Sequence, residues 1–295
     1  MPDRGAEAGD GSIGCTDDVL RSLSEMGRSL HATPELERVA RVVTDAAARL
    51  RDEHDIALTL QRALLPDLPP TPQGVEVAVR YLPAGEHAEV GGDWYDVALL
   101  SGGRMAVTVG DVEGHSVEAA ARMGAVRHAL AVCTRQAPNP ASALFELDRH
   151  LTDIGHNALV TAVHASFDPR TGHLAVARAG HLPPLVVPAR GPARFLGGDP
   201  SPALGLGLLT RRPRLDEDRL GPGDAAVFFT DGLVERRGIH LDDSMDLLRL
   251  SVSERADLSA EALCDRVVDV LVGGAGSEDD VALLVLRAEP AGVVA

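Results

Sequence analysis

The stretch RMAVTVGDVEGHSVEAAARM, residues 104–123, joins three kinds of local pattern. Its apolar first part, Arg104–Gly110, predicts a buried strand. An acidic turn begins at Asp111, where this strand would leave a hydrophobic core, and an amphipathic pattern then predicts a helix over Val117–Cys133. The stretch therefore places a carboxylate at the end of a core strand, directly before a helix.

Three further segments repeat this association of an aspartate with glycine or with a strand end: Gly91-Gly92-Asp93, Thr230-Asp231-Gly232 and Glu278-Asp279-Asp280. Taken singly, each is as common as any Asp-Gly turn and carries little information. Taken together, they place several carboxylates where strands leave a core. Carboxylates, carbonyls and water are the ligands that Mg²⁺ and Mn²⁺ prefer, and the sequence lacks the His and Cys spacing of a zinc site. The sequence therefore predicts a divalent-metal site built from oxygen atoms.

The rest of the chain predicts strands in consecutive runs, with helices grouped between them. Val75, Val77, Val79 and Tyr81 alternate as in a half-buried strand. Further strands are predicted over 93–100, 158–167, 173–179, 185–187, 225–230 and 281–287, and further helices over 140–154, 245–253 and 259–272. This order favours an antiparallel α+β architecture over a parallel βαβ sheet. The Pro- and Arg-rich stretches 188–194 and 211–214 are predicted to be hairpin connections.

The N-terminal part of the chain has a different texture. Residues 1–16 predict a disordered tail, and residues 17–70 a helical segment in which Thr33 caps a helix that begins at Pro34. The apolar residues of this helix recur at a period near 3.5: Leu36, Val39, Val43, Ala46, Leu50, Ala57, Leu60 and Leu64. Such a stripe suits either a homodimer through residues 34–65 or packing of the helix on its own domain. That domain is predicted over residues 71–288, with a tail at 289–295.

The charged residues exclude several classes of function. All 28 lysine and arginine positions are arginines, and 44 carboxylates give the chain a net charge of −16. The missing lysine excludes a P-loop, a kinase strand lysine and Schiff-base chemistry. The acidic balance argues against binding a nucleic-acid backbone. Three scattered cysteines, no apolar run of membrane-spanning length and an acidic N-terminus favour a cytoplasmic protein.

Five strings occur together in an order that points to one protein family. They are EVGGDWYD (89–96), GDVEGH (110–115), AGHLPPL (179–185), TDGLVE (230–235) and DDVALL (279–284). Together they resemble the successive motifs of the SpoIIE-like bacterial branch of the protein phosphatase 2C (PPM) serine/threonine phosphatases, over residues 56–288. The resemblance implies two antiparallel sheets sandwiched between helices, and a phosphatase that hydrolyses phosphoserine or phosphothreonine with metal-activated water.

The resemblance also implies a centre of two Mn²⁺ or Mg²⁺ ions, with these ligands: Asp93, Asp111, the main-chain carbonyl of Val112, Asp231 and Asp279. Asp111 resembles the aspartate that bridges both ions. Asp93 resembles a ligand of one ion, and Asp231 and Asp279 resemble ligands of the other. Asp93, Asp111 and Asp231 are thus the implied catalytic residues, acting through the bound metals and water. Asp280 is the alternative to Asp279 if the register differs by one residue.

Two residues depart from the family pattern, because Glu113 stands where a serine is expected and Ser116 where a glycine is expected. The Glu113 carboxylate either joins the outer shell of the metals or faces solvent, and solvent is the favoured interpretation. Other residues near the motifs are predicted to have structural roles: hydrogen bonding to turns for His115 and His181, core packing for Trp94 and Tyr95, and a surface position for Arg80.

Two other functions are compatible with parts of the sequence. A serine hydrolase would use Ser116 at the turn between strand and helix, but Glu118 occupies the position where that turn needs a small residue. A non-catalytic phosphatase-like module would bind a partner without turnover. The resemblance favours the phosphatase, with a phosphorylated anti-sigma-factor antagonist as its protein substrate. The acidic balance and the lack of a long apolar run argue against a nucleic acid or a membrane as a partner.

Overall fold

The computed structural model describes residues 65–84, 91–156, 158–253, 255, 257–273, 276–277 and 279–289. These residues form ten strands in two antiparallel sheets, together with four α-helices. The predicted α+β class and the two-sheet arrangement are therefore confirmed. The predicted disordered tail at 1–16 and nearly all of the predicted helical segment, including its apolar stripe, lie outside the described residues.

The elements follow one another along the chain with short connections at most points. The strands are β1 (Val75–Leu82), β2 (Trp94–Leu99), β3 (Met105–Val112), β4 (Val160–Asp168), β5 (His173–Ala179), β6 (Leu185–Val187), β7 (Arg194–Phe195), β8 (Leu215–Arg219), β9 (Ala225–Phe229) and β10 (Val281–Ala288). The helices are α1 (Val117–Gln136), α2 (Pro140–Asp153), α3 (Leu241–Val252) and α4 (Ala260–Leu271).

The strand pairing brings the acidic segments of the sequence to the ends of neighbouring strands. Sheet one has the order β1-β10-β9-β6-β7, and sheet two the order β2-β3-β4-β5-β8. In sheet two, Trp94 at the start of β2 pairs with Gly110 near the end of β3. In sheet one, Phe229 at the end of β9 pairs with Leu283 near the start of β10. In each sheet, two acidic segments therefore lie side by side at the ends of neighbouring strands.

Alternating apolar residues stack the sheets face to face. In β10, Ala282, Leu284 and Leu286 belong to the core between the two sheets. Leu283 and Val285 point the other way, into a second core that includes residues of α3 and α4. A third core lies between sheet two and the helices α1 and α2. The result is four layers in the order helix pair, sheet two, sheet one, helix pair, because each sheet has two apolar faces to cover.

The helices begin where side chains satisfy free backbone N–H groups. Ser116, Asn139 and Ser259 accept hydrogen bonds from backbone N–H groups in the first turns of α1, α2 and α4. His240 caps α3 in the same way, so this helix begins at Leu241, four residues before the predicted start. None of the described helices is long and apolar enough to cross a bilayer.

Sequence reasoning misses two strands and misplaces one connection. β7 has two residues and β8 has the polar sequence LDEDR, so neither shows an apolar alternation. Residues 188–194 lead from β6 to its antiparallel partner β7, as predicted. The hairpin predicted at 211–214 is wrong. These residues lie in the crossover from β7 in sheet one to β8 in sheet two, because β8 pairs with β5.

Candidate metal centre

Asp93, Asp111 and Asp231 reach one place from different strands. Asp93 directly precedes β2, and Asp111 is the next-to-last residue of β3, so both lie at the same edge of sheet two. Asp231 opens a short 3₁₀ turn (Asp231–Leu233) after β9 of sheet one. One carboxylate oxygen of each residue lies within 4.8 Å of those of the other two. The structure therefore brings together three of the four carboxylates in the predicted ligand set.

Glycine allows the backbone segments that carry these aspartates to touch. The Val112 N–H donates to the Gly92 carbonyl at 3.1 Å. A Cβ atom at Gly92 would lie 1.8 Å from the Val112 carbonyl oxygen, so only glycine fits there. The Val112 carbonyl, a predicted metal ligand, is thus packed against Gly92, the residue before Asp93. Val112 itself directly follows Asp111 in the sequence.

Burial makes ionisation of the first two carboxylates unfavourable. Asp93 is only 3% exposed, and its Oδ2 atom has no hydrogen-bond partner among the described residues. Burial and then the charge of Asp111 raise the pKa of Asp93 well above its ordinary value, against a hydrogen bond from Thr230. Burial, followed by the charges of Asp231 and Asp279, raises the pKa of Asp111 to about 7.

Asp231 completes the same electrostatic pattern. Burial raises its pKa, and the charges of Glu235 and then Asp279 add to the effect. All three carboxylates are desolvated, and the charges that chiefly shift their pKa values are all negative. Hard divalent cations with oxygen ligands would compensate these charges, so the residues present fit Mg²⁺ or Mn²⁺.

The structure separates the roles of the two adjacent aspartates that sequence reasoning left as alternatives. Asp279 is exposed, and its charge contributes to the raised pKa of both Asp111 and Asp231, although it is not one of the three clustered carboxylates. Asp280 is 2% exposed and accepts hydrogen bonds from the Tyr81 hydroxyl at 2.6 Å, the Ala84 N–H at 2.8 Å and the Gly91 N–H at 3.2 Å. The side chain of Asp280 is therefore committed to protein donors.

The residues of the turn after β3 lie on the surface. Glu113 is exposed and accepts from the Leu159 N–H at 3.3 Å, which agrees with the favoured solvent-facing interpretation. Ser116 accepts from the Ala119 N–H at 3.2 Å and has an extended backbone, with φ −151°. Its hydroxyl caps α1. The backbone of His115 forms a bridge with Gly91.

His181 has a structural role, as predicted, but it cross-links strands β4 and β9 of the two sheets and does not bond to turns. It is buried, with Nδ1 2.8 Å from the Thr161 hydroxyl and Nε2 3.1 Å from the Phe229 carbonyl. Because a carbonyl can only accept, Nε2 carries the proton and Thr161 donates to Nδ1. Burial lowers the pKa of His181 to about 4. The neutral ring therefore anchors the end of β9, two residues before Asp231.

Three other predicted roles are confirmed. Trp94 is fully buried against the α1 and α2 side, and the Tyr95 hydroxyl donates to the Pro66 carbonyl at 3.2 Å. Arg80 binds Asp265 at 2.6 Å and Glu261 at 2.7 Å on α4, so its guanidinium is engaged away from the carboxylate group. Sequence reasoning did not find the contact of Tyr81 with Asp280, because a strand tyrosine shows no local sign of its hydroxyl partner.

A surface cavity of about 340 Å³ lies at the opposite end of β2 and β3, lined by residues that include Leu99, Arg104, Arg135 and His164. Asp93 and Asp111 lie near the start of β2 and the end of β3, which is the end of this strand pair away from the cavity. None of the predicted metal ligands lines this cavity. The carboxylate group therefore forms a separate site.

Known proteins resemble the chain in sequence and in fold. A family model described as Stage II sporulation protein E (SpoIIE) matches residues 101–289. Protein IcfG of Synechocystis sp. is 26% identical over an alignment 278 residues long, which covers 83% of this chain and 43% of that protein. The solved RsbU and RsbW domains of Rv1364c from Mycobacterium tuberculosis are 34% identical, with a TM-score of 0.66 over 75% of this chain and 63% of that one.

A solved structure with bound metal has the same fold at lower identity. The catalytic domain of the serine/threonine protein phosphatase PstP, in complex with two manganese ions, is 15% identical, with a TM-score of 0.51 over 73% of this chain and 99% of that one. The chain spans less than two thirds of the length of both IcfG and the Rv1364c structure. The family model, by contrast, matches more than half of this chain. The chain therefore belongs to the SpoIIE family.

Proposed function

We propose that the chain is a metal-dependent protein phosphatase that hydrolyses phosphoserine or phosphothreonine with metal-activated water, using two Mn²⁺ or Mg²⁺ ions. One observation carries the proposal. Three carboxylates from two sheets converge within 4.8 Å, and all three have raised pKa values because they are buried together. Ionising such a group is unfavourable without a nearby cation. Its oxygen atoms are the ligands that a hard divalent cation prefers.

The family resemblance implies a role for each proposed ligand. Asp111 would bridge the ions, Asp93 and the Val112 carbonyl would hold one of them, and Asp231 and Asp279 would hold the other. Bound ions would supply a water of lowered pKa and positive charge for the phosphoryl oxygens. The unpartnered Oδ2 of Asp93 offers a ligand atom that no protein donor occupies among the described residues. The exposed Asp279 lies on the solvent side, where a phosphoprotein would approach.

The proposed substrate is a regulatory protein phosphorylated on serine or threonine, of the anti-sigma-factor antagonist type. The likeness to a chain with RsbU and RsbW domains supports this class. A protein substrate also agrees with a carboxylate group that lies where strands end, rather than in the cavity at the other end of the sheet.

Metal dependence tests the proposal. The purified chain is expected to hydrolyse p-nitrophenyl phosphate and a phosphoserine-containing antagonist with Mn²⁺, to lose this activity in EDTA, and to regain it when Mn²⁺ is restored. Ser116→Ala is the matched control for the serine-hydrolase alternative. It removes only the cap of α1, so it is expected to cost about 1 kcal/mol of stability and to leave turnover intact.

Two outcomes would contradict the proposal. Activity that persists in EDTA but disappears in Ser116→Ala would identify a serine hydrolase. Mn²⁺ binding without turnover of any phosphoprotein or of p-nitrophenyl phosphate would identify a non-catalytic binding module.

We further propose that residues 34–65 pair two copies of the chain. This proposal rests on the apolar stripe of the sequence alone. Burying each leucine or valine contributes about 1.5–3 kcal/mol, so Leu50→Glu is expected to weaken a dimer strongly. Arg51→Glu, one position off the stripe, is the control. Sedimentation velocity at micromolar concentration should show a dimer for the wild type and for Arg51→Glu; a monomeric wild type would mean that the stripe packs on its own domain.

A further inference from the structure

We propose that Asp280 is a positioning residue that holds the proposed metal ligands of both sheets in place, and is not itself a ligand. The inference rests on the proposed function, since it concerns the same carboxylate group. It separates two aspartates that are neighbours in the sequence: Asp279 would bind metal, and Asp280 would organise the segments around it.

The side chain of Asp280 ties sheet one to the segment that leads into Asp93. Its Oδ2 atom accepts from the Tyr81 hydroxyl on β1 at 2.6 Å and from the Gly91 N–H at 3.2 Å. Its Oδ1 atom accepts from the Ala84 N–H at 2.8 Å. Gly91 is two residues before Asp93, and a Cβ atom at Gly91 would lie 2.8 Å from Oδ2 of Asp280. Asp280 therefore fixes the approach of the chain to Asp93.

Tyr81 reaches the same segment a second time. Its hydroxyl oxygen lies 3.4 Å from the main-chain carbonyl oxygen of Asp93, besides its shorter contact with Asp280. The ring of Tyr81 is partly buried in the core between the sheets. A rigid aromatic side chain thus connects the Asp280 carboxylate to the backbone of a proposed ligand.

The main chain of Asp280 contacts the other proposed ligands. A Cβ atom at Gly232 would lie 2.1 Å from the Asp280 carbonyl oxygen, so the turn that carries Asp231 packs directly on the Asp280 backbone. The Asp280 N–H donates to Oδ1 of Asp279 at 2.8 Å, which orients the Asp279 carboxylate. One residue therefore makes contacts that place Asp93, Asp231 and Asp279.

The hydrogen bonds also argue against Asp280 as a ligand. Three protein donors occupy its two oxygen atoms at 2% exposure, whereas Asp93, which is equally buried, keeps one oxygen without a partner. Moving the Asp280 carboxylate to a metal would leave the Ala84 and Gly91 N–H groups and the Tyr81 hydroxyl to find new acceptors. An unpaired buried donor costs about 1–3 kcal/mol.

The inference is tested by two measurements. The first is Mn²⁺ affinity without substrate, from calorimetry and electron paramagnetic resonance, and the second is turnover. Asp280→Ala is expected to weaken Mn²⁺ binding about 10–100-fold, as loss of an outer partner of a metal site does. Asp280→Asn keeps one acceptor oxygen and should weaken binding less. Tyr81→Phe removes one donor and no charge, and should shift binding in the same direction by a smaller factor. For all three variants, turnover at saturating Mn²⁺ should stay within a few-fold of the wild type.

Asp148→Asn is the matched control, because Asp148 is also 2% exposed and holds a backbone N–H, that of Gly205, at 2.9 Å, outside the carboxylate group. It should leave Mn²⁺ affinity unchanged. Unchanged affinity in Tyr81→Phe and Asp280→Asn would overturn the inference. A second outcome would also overturn it: Asp280→Asn loses turnover even at saturating Mn²⁺, while Tyr81→Phe has no effect. That result would identify Asp280 as a metal ligand.

The same measurements separate this inference from the proposed function. A wild-type chain that binds Mn²⁺ but turns over no phosphoprotein would refute the proposed function, while weaker binding in the Asp280 and Tyr81 variants would still support the positioning role. A wild-type chain that binds no Mn²⁺ would refute both. If Asp280→Ala fails to fold, Tyr81→Phe and Asp280→Asn decide the outcome.

Discussion

Asp111→Asn is expected to reduce Mn²⁺-dependent turnover by roughly 10³-fold or more, because it removes the carboxylate proposed to bridge the two ions and to balance their charge. The asparagine side chain has the same shape, so the fold should persist. The measurement is hydrolysis of p-nitrophenyl phosphate over a range of Mn²⁺ concentrations, with circular dichroism as the check on folding. Near wild-type turnover by the variant would contradict the assignment of Asp111.

The same substitution is expected to stabilise the metal-free chain. The folded-state pKa of Asp111 is about 7, above the ordinary value of 3.8, so stability is lost as the pH rises through this window. At pH 8, replacing the buried charge should therefore raise the free energy of unfolding by an amount on the order of a few kcal/mol. In EDTA, the melting temperature should rise by several degrees. Asp269→Asn, at an exposed position of α4, is the control and should change it little.

His164 and His181 are each expected to lower the free energy of unfolding when the pH falls from 7 to 5. Both rings are buried, and burial lowers the pKa of each from 6.5 to about 4. His164 lies between two hydroxyl groups, with Nδ1 2.8 Å from that of Thr108 and Nε2 3.2 Å from that of Thr134. Thr134 donates its own proton to the Leu130 carbonyl, so it can only accept from His164. This network holds the neutral ring.

The sign follows from the proton count. Below pH 6.5 the unfolded chain protonates both rings, while the folded chain keeps them neutral until about pH 4. The stability that these two rings contribute therefore decreases as the pH is lowered from 6.5 to 4. At pH 5 each ring should account for about 2 kcal/mol of lost stability. Asp93 and Asp111 act in the opposite direction because their folded pKa values are raised, so the experiment compares variants with the wild type at each pH.

The measurement is urea unfolding between pH 7 and pH 5 in EDTA. The His164→Gln variant should be less stable than the wild type at pH 7, and this difference in the free energy of unfolding should shrink by about 2 kcal/mol at pH 5. His150→Gln, at an exposed position in the last turn of α2, should keep the wild-type pH dependence. An unchanged pH dependence in His164→Gln would mean that this ring is not the source of the acid sensitivity.

Local patterns account for most of the predicted strands. The predictions for β5 and β6 match the structure at both ends, and the alternation in β1 and the apolar run before Asp231 are correct. These segments are predictable because their faces contact a core on one or both sides, so burial leaves its mark in the sequence. β8 left no such mark, since its residues LDEDR are only partly covered at the edge of sheet two.

The carboxylates were predictable for a different reason. Asp93, Asp111 and Asp231 lie at or next to strand ends. The apolar strand pattern beside each aspartate predicts that it lies where the strand leaves the core. Their convergence within 4.8 Å was not readable from those signals, because it depends on how sheet one stacks on sheet two. The resemblance to a known family supplied the expected grouping before the geometry did.

By itself, the sequence determined most of the segments that form strands and helices, which aspartates stand at strand ends, and which family's motifs the chain carries. Only the tertiary structure decided that residues 211–214 cross between sheets, that His181 joins them, and that Asp280 rather than Asp279 holds Tyr81 and Gly91. The physical reason is distance along the chain. Alternation, capping and turn chemistry act between near neighbours, whereas the Tyr81–Asp280 hydrogen bond joins residues 199 positions apart and forms only after both sheets have packed.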